Sequence, residues 1–521
     1  MLKAMPRRLK IDALLMINGY LTLLLTGHVS YVRTSAREPA GEDLLHETIA
    51  DAIVPTLNAL YDLRDIGRRP AIALAYSPVL LEQLADSVVQ KHFVVWMERR
   101  LAHLAENVAR WDGEGEAHRS YLGRFYQEWC RGILESFIKR YNRNVVAAMR
   151  ELCAEGMAEP LSSAATHAYL PLLRRVESQR AQIDVGALAM TRQLGTRPRG
   201  LWLPECGYSP SLEALVRPSG TRYLIVDPSS LPNTTIPHLR PRWIATRRLA
   251  VLVRDPEAAY QIMAPDLGYV SDPIYRSPKR DPESGLALWS QSDSQYSSNL
   301  YDPYDAFRRA QEHAVHFSSC VEAELEAFRA RHDRPGIAVV PLDVDVLGRG
   351  WFEGPTWLRA LLETLLERSN VVLTRPSDYL NSVRPRFGVT LRDGSWSVEP
   401  PHRSWNGLAA QRLWRAIGEV EERVAMLVQR HPHAQGDHER ALAQAVRELL
   451  LAQSSDWPLQ LSQGAGNDLL QRPVTHLRRC ERLCMLAETP EWTDDDIAFL
   501  DAVEEADNPF PNLNYRVFSN S

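Results

Sequence analysis

Cysteine is scarce in this 521-residue sequence: six residues, at 130, 153, 206, 320, 480 and 484. Nothing in their spacing builds a disulfide scaffold, and a reducing compartment is the expectation. Cys480 and Cys484 stand one helical turn apart near His476, but no second ligand cluster accompanies them, so they read as one face of a helix. An excess of one charge is also missing. Lys plus Arg number 60 against 65 Asp plus Glu, a net charge of -5, which excludes long-range attraction to nucleic acid or anionic lipid and suits a neutral, polyhydroxylated partner. No apolar run reaches the roughly 20 residues of a membrane span. There is no internal repeat and no low-complexity segment. The opening MLKAMPRRLK and the IDALLMINGYLTLLL after it imitate a secretory signal. The run ends in Thr26, Gly27 and His28 with no small-x-small cleavage site, so residues 19–25 read as a core strand, the expected location is cytoplasmic, and Met16 competes with Met1 as the start.

The sequence is rich in short apolar runs that end at polar residues and are followed by helical periodicity. Candidate strands are 20–25, 71–76, 200–205, 222–227, 249–253, 337–343 and 370–374, with 160–167 a weaker one. Continuous apolarity rather than alternation means that both faces are covered, so the sheet is parallel, as a barrel or a doubly wound sheet. Residues 79–158 carry helical spacing and are too long for one crossover, which makes them an inserted helical subdomain. After about residue 395 strand signals stop, and amphipathic stretches at 408–430 and 439–453 mark a C-terminal helical domain. The polar, Ser-rich stretch 277–300 reads as a loop.

The run GLWLPECGYSP, 200–210, stops at a carboxylate, Glu205. That group is either a helix cap or a reagent. In a parallel barrel, catalytic groups gather at the C-terminal ends of strands, and Asp343, closing GIAVVPLD, occupies a matching position. Two such carboxyls about 5 Å apart suit a retaining glycosidase, one as nucleophile and one as acid then base. The bland alternative, a cap and an ordinary turn acid, stays open on these residues alone. Trp202, Tyr208, Trp351 and Trp357 offer flat faces for sugar rings, and His28, His167, Asp227 and Asp345 also stand at strand ends.

Seven ordered segments carry a resemblance: GYLTLLLTGHVSYVR (19–33), SPVLLEQLADSVV (77–89), SSAATHAYLPLL (162–173), PRGLWLPECGYSPSLE (198–213), DVDVLGRGWFEGP (343–355), QSSDW (453–457) and ADNPFPNLNYRVF (506–518). Together they resemble glycoside hydrolase family 57, and within it the 1,4-α-glucan branching enzymes. The resemblance implies an α/β fold, an incomplete (β/α)7 TIM-like barrel over 16–395 that includes the helical insertion, and a C-terminal α-helical domain over 396–521. It implies a retaining mechanism on α-1,4-glucan with Glu205 as nucleophile and Asp343 as acid/base, no cofactor and no metal. His28, His167, Trp202, Tyr208, Asp227, Trp243, Trp351, Trp405, Asp456 and Trp457 are then candidate glucan contacts. No nucleic-acid or membrane partner is implied, and nothing demands more than a monomer.

The chain also departs from the family pattern. Thr26 and His28 stand for the usual His-x-His; Asp345, Arg349 and Gly350 stand for a Glu, a His and a Trp beside the acid. Arg349 is expected to favour ionisation of a neighbouring acid. After Val226 the chain reads Asp227, Pro228, Ser229, Ser230 rather than Asp-x-His-Gly, Met263 stands where a tryptophan is common, and Trp243 replaces a tyrosine. The family's loop tyrosine, which favours transfer over hydrolysis, has no counterpart between Tyr223 and Tyr260. These departures leave open a hydrolase or 4-α-glucanotransferase, or a glucan-binding protein with impaired turnover.

Overall fold

The computed structural model describes residues 17–36, 41–232, 237–244, 249–264, 266–291, 299–397, 401–464 and 471–519. The first 16 residues of the amino-terminal signal-like stretch and part of the tyrosine-free loop lie outside the described residues. Among the described residues nine strands form one sheet: β1 (Gly19–Gly27), β2 (Ile72–Tyr76), β3 (Ala158–Ser162), β4 (Gly200–Trp202), β5 (Tyr223–Val226), β6 (Arg242–Ile244), β7 (Leu249–Val253), β8 (Gly336–Asp343) and β9 (Val371–Leu373). Their order is β6-β7-β5-β4-β3-β2-β1-β8, with β9 paired to the first half of β1. All pairings are parallel except β6 with β7. The apolar runs become strands because both faces are covered: β2 and β7 are buried at every residue. β6 is the strand the sequence reading lacks, and the weak 160–167 signal corresponds to β3, which starts two residues earlier.

Between β2 and β3 the chain is helical, as its periodicity predicts: Pro78–Ala85, Ser87–Glu114, Ala117–Glu135 and Val145–Ala154. The long second helix has explicit ends. Asp86 accepts from the amides of Val88 and Val89, and Gly115 closes it in the left-handed conformation. Beyond β9 the main elements are helices, among them Ala410–Arg430, Asp437–Ala452 and Gln471–Glu488. The last two pack face to face, with Cys480 and Cys484 buried as free thiols and Cys480 Sγ 3.1 Å from the Ala445 carbonyl. No helix among the described residues is long and apolar enough to cross a membrane.

This helical region reaches the strand ends. Ser454 bridges to Ala168, the Ser455 amide donates to the His167 carbonyl (3.2 Å), and Gln453 bonds both Gln182 (2.9 Å) and Glu421 (2.8 Å) in a buried network. Residues 454–456 thereby meet the C-terminal ends of the strands.

Candidate active site

Three site residues have backbone conformations that ordinary residues avoid. His167, Glu205 and Cys206 have φ of 57°, 58° and 51°, each at a cost of about 1–3 kcal/mol that packing has to offset. The turn after β4 explains why the apolar run stops where it does. Leu203 and Pro204 leave the sheet, Glu205 and Cys206 reverse the chain, and the amides of Cys206 and Gly207 bond back to the carbonyls of Leu203 and Pro204 (both 2.9 Å). Position 207 has to be glycine, since a Cβ there would lie 2.6 Å from the Tyr169 ring.

Glu205 caps no helix. Its Oε2 accepts from Trp396 Nε1 at 2.8 Å, and its Oε1 lies 3.5 Å from Ser455 Oγ and 3.9 Å from His167 Nδ1. Burial pushes its carboxyl up to about 8, helped by the charges of Asp456 and Asp343 and opposed by the Trp396 and Ser455 bonds. Asp343 ends β8 in register with Thr26 of β1, and its Oδ1 accepts from the Asp345 amide (2.9 Å). Burial and the Asp345 charge raise it to about 6.

Arg349 does not hold Asp343 ionised, contrary to the expectation from sequence. Its guanidinium is engaged by Asp345, with Nε 2.8 Å from Oδ1, and Thr48 Oγ1 also donates to Asp345 (2.9 Å). The cation is neutralised two residues away from the acid, and the net effect on Asp343 is upward.

His28 and His167 stack with ring centroids 4.1 Å apart and 13° between planes. His28 Nδ1 meets Ser77 Oγ at 2.8 Å and Nε2 meets Asp456 Oδ2 at 3.1 Å; His167 Nδ1 meets Ser455 Oγ at 2.9 Å. Burial lowers the His167 pKa, and His28 lowers it further. Asp456 is half-buried, and its desolvation would raise its carboxyl, but His28 and a hydrogen bond from Ser30 hold it well below the usual range.

The structure thus brings together Glu205, Asp343, His28, His167 and Asp456. It does not do so for most of the aromatic candidates. Trp202, Tyr208 and Trp351 are fully buried. Trp202 meets the edge of Trp396 at 5.8 Å, Tyr208 bonds Glu213, and Trp351 packs with Tyr275 and Trp357, which is also core. Trp405 is buried against Tyr169 (4.3 Å, 11°), and Trp457 is buried with Nε1 facing the Leu451 carbonyl at 3.4 Å. Trp243 pairs near the start of β7 and donates to the Pro385 carbonyl at 2.7 Å, at the opposite end of the strands from Glu205. Asp227 accepts from the Ser229 amide (2.8 Å) and pairs with Arg254. Large aromatics are efficient core fillers, and that use has won here.

Trp396, which bonds Glu205, is not singled out by the sequence reading, and neither are Ser30, Ser77, Ser454 and Ser455, which bond His28, His167 or Asp456. Trp396 is 37% exposed, enough to present a face to a ligand. Its segment is held by the altered 227–230 loop: Ser229 Oγ donates to the Ser395 carbonyl (2.9 Å), and the Arg392 amide donates to the Ser230 carbonyl (3.0 Å). A Cβ on Gly394 would come within 2.2 Å of Ser230 Oγ. The only sequence signal for this segment is a tryptophan in a Gly/Ser-rich stretch.

The chain matches the family described as Glycosyl hydrolase family 57 over residues 23–391, and the one described as 1,4-alpha-glucan branching enzyme, C-terminal, over 416–518. A 1,4-alpha-glucan branching enzyme of Thermococcus kodakarensis is 32% identical over 95% of this chain and 78% of its own length. The crystal structure of a GH57-type branching enzyme from Pyrococcus horikoshii superposes with a TM-score of 0.90 at 32% identity, covering 97% of each chain. The alpha-amylase AmyC of Thermotoga maritima, 24% identical, shares the fold with a TM-score of 0.86 over 96% of this chain and 99% of its own. A reactive-looking carboxylate pair at strand ends, and similarity along almost the whole length, therefore agree: the chain belongs to glycosyl hydrolase family 57.

Proposed function

We propose that this protein is a retaining 1,4-α-glucan branching enzyme. It cleaves an α-1,4 linkage in a glycogen-like glucan and rejoins the segment through an α-1,6 linkage. The observation that carries the chemistry is the pair of carboxyls at the strand ends, Glu205 buried and Asp343 half-buried, near enough that the Asp343 charge bears on Glu205, with both raised, to about 8 and about 6. One carboxylate and one carboxylic acid are what a double displacement needs. Glu205 attacks the anomeric carbon and Asp343 protonates the departing oxygen. Asp343, now ionised, then takes the proton of an acceptor 6-hydroxyl, which displaces Glu205. Glu205 is the less acidic partner, so the reaction requires that the proton sit on Asp343 when the glucan is attacked. The glycosidic oxygen arriving at Asp343 supplies an acceptor for that proton. His28, His167 and Asp456 form a polar wall suited to sugar hydroxyls, and Trp396 is the stacking surface.

Seven of the parallel strands, β7-β5-β4-β3-β2-β1-β8, form an incomplete (β/α)7 barrel over 16–395, and 396–521 is a C-terminal helical domain that completes the site. The protein acts in the cytoplasm without a cofactor or metal in the reaction. A second outcome, hydrolysis or 4-α-glucan transfer, is favoured by two observations: no tyrosine lies between Tyr223 and Tyr260, and Gly350 is an exposed glycine where a stacking ring is common. The test is incubation with amylose, counting new α-1,6 linkages and reducing ends. Branches that disappear in Glu205→Gln support the reading. Reducing ends without branches replace it with hydrolysis, and equal branching by both proteins removes Glu205 from its role.

A further inference from the structure

One cluster of titratable groups has no part in glucan chemistry. His238 lies in the turn before β6, Asp255 follows β7, and Glu324 lies on the helix Pro303–His332. One donor atom from each falls within 4.8 Å of the others. His238 Nε2 is 3.3 Å from Glu324 Oε1 and 3.8 Å from Asp255 Oδ1. Asp255 is fully buried; its Oδ1 accepts from the amides of Glu257 and Ala258 (both 3.0 Å), whereas its Oδ2 is buried with no hydrogen-bond partner. His238 Nε2 is likewise buried and makes no hydrogen bond of good geometry. Two orphaned polar atoms within one side-chain cluster are costly, about 1–3 kcal/mol each, unless something satisfies them.

We propose that His238, Asp255 and Glu324 form a binding site for one divalent transition-metal ion of the Zn2+ class, which ties the two ends of the parallel sheet together. The position supports a structural role. The Asp255 amide donates to the Val339 carbonyl at 2.8 Å, so Asp255 links the end of β7 to β8, the two terminal strands of the parallel run. The Ile337 amide bonds the Leu239 carbonyl (3.0 Å), tying the His238 turn to β8 as well. The ligand set decides the class. One imidazole with two carboxylates suits Zn2+ or its first-row neighbours, whereas Ca2+ and Mg2+ prefer oxygen alone. Donors around tetrahedral Zn2+ lie about 3.3 Å apart, so the cluster closes on an ion by small side-chain movements. The His238 and Glu324 side chains are 24% and 25% exposed, which leaves a way in. The other buried cluster, Glu448, His476 and Asp507, lacks this character: its carboxylates are bonded by Gln444, His476 and Arg479.

The inference stands apart from the glucan chemistry and its test does not read activity. Chelator-stripped full-length protein is titrated with Zn2+ by calorimetry, and retained metal is measured after gel filtration. The expected result is one tight equivalent per chain, at least tenfold weaker in His238→Ala and in Glu324→Gln, and a melting temperature that rises with Zn2+ in the wild type alone. Glu324→Gln is close in shape and partly exposed, so it keeps the test valid if His238→Ala does not fold. Absence of a stoichiometric site in the wild type, or wild-type affinity in the variants, overturns the proposal.

Discussion

Trp396 Nε1 donates to Glu205 Oε2 and thereby lowers a carboxyl that burial raises. Trp396→Phe removes a hydrogen bond to a charged group, about 1.5–3 kcal/mol. The expected result is a fall in kcat/KM of about 10- to 100-fold, with the alkaline limb of the pH profile moving up because Glu205 loses a donor that favours its ionised form. The two carboxyls can also be told apart chemically. With an activated α-glucoside and azide, Glu205→Ala should yield the β-glucosyl azide, the inverted product of attack where the nucleophile was. An α-azide would instead assign Glu205 as acid/base, the role its higher pKa would suggest. Gly350 is exposed, and a Cβ there would meet nothing closer than 3.8 Å. Gly350→Trp should be accommodated and should raise the ratio of branches to reducing ends by about 2- to 10-fold, the worth of one aromatic contact. Both carboxylates were legible in the sequence because each ends an apolar run. Trp396 was not, since nothing local distinguishes a tryptophan that bonds a reagent from one that packs.

Strands with continuous apolar runs were legible almost to the residue, as β7 at Leu249–Val253 illustrates. β6 was not, because Arg242, Trp243 and Ile244 are three residues with no run around them, paired only through an antiparallel hairpin. The insertion and the carboxyl-terminal helices followed from periodicity. That Ser454, Ser455 and Asp456 enter the site depends on contacts hundreds of residues apart, and only the resemblance pointed to Asp456. The turn after β8 carries its own prediction. The Asp345 charge raises Asp343 and Asp345 also binds Arg349. Asp345→Asn removes the charge and frees the guanidinium, and both changes favour ionised Asp343. The acid limb of kcat/KM should move below about pH 6, so the variant keeps a larger share of its maximal rate at pH 5 than the wild type does. Movement to higher pH would contradict this account of the site.

At the scale of the whole molecule, the carboxyl-terminal helical region borders the candidate site rather than standing apart from it. Asp456 pairs with His28, its charge raises Glu205, and its neighbour Ser455 bonds His167 and lies against Glu205. A carboxyl raised from 4.5 to about 8 binds its proton more tightly in the folded chain than in the unfolded one. Stability therefore falls as pH rises from about 4.5 to about 8, and the site is maintained at the expense of the fold. Glu205→Gln should melt higher than the wild type at pH 8.5, by a few degrees, with the gap narrowing toward pH 4.5. Asp456→Asn separates the electrostatic role of the distant helix from mere packing, because the side chain keeps its shape. Removing the charge lowers the Glu205 pKa, so the alkaline limb of kcat/KM should move down from about pH 8. The lost pairing with His28 should cut the rate about tenfold or more, the scale expected when a charge-assisted bond of about 1.5–3 kcal/mol disappears. A purely structural Asp456 would give a lower melting temperature and an unmoved pH profile, so the position of that limb decides whether the helical region shapes the reaction.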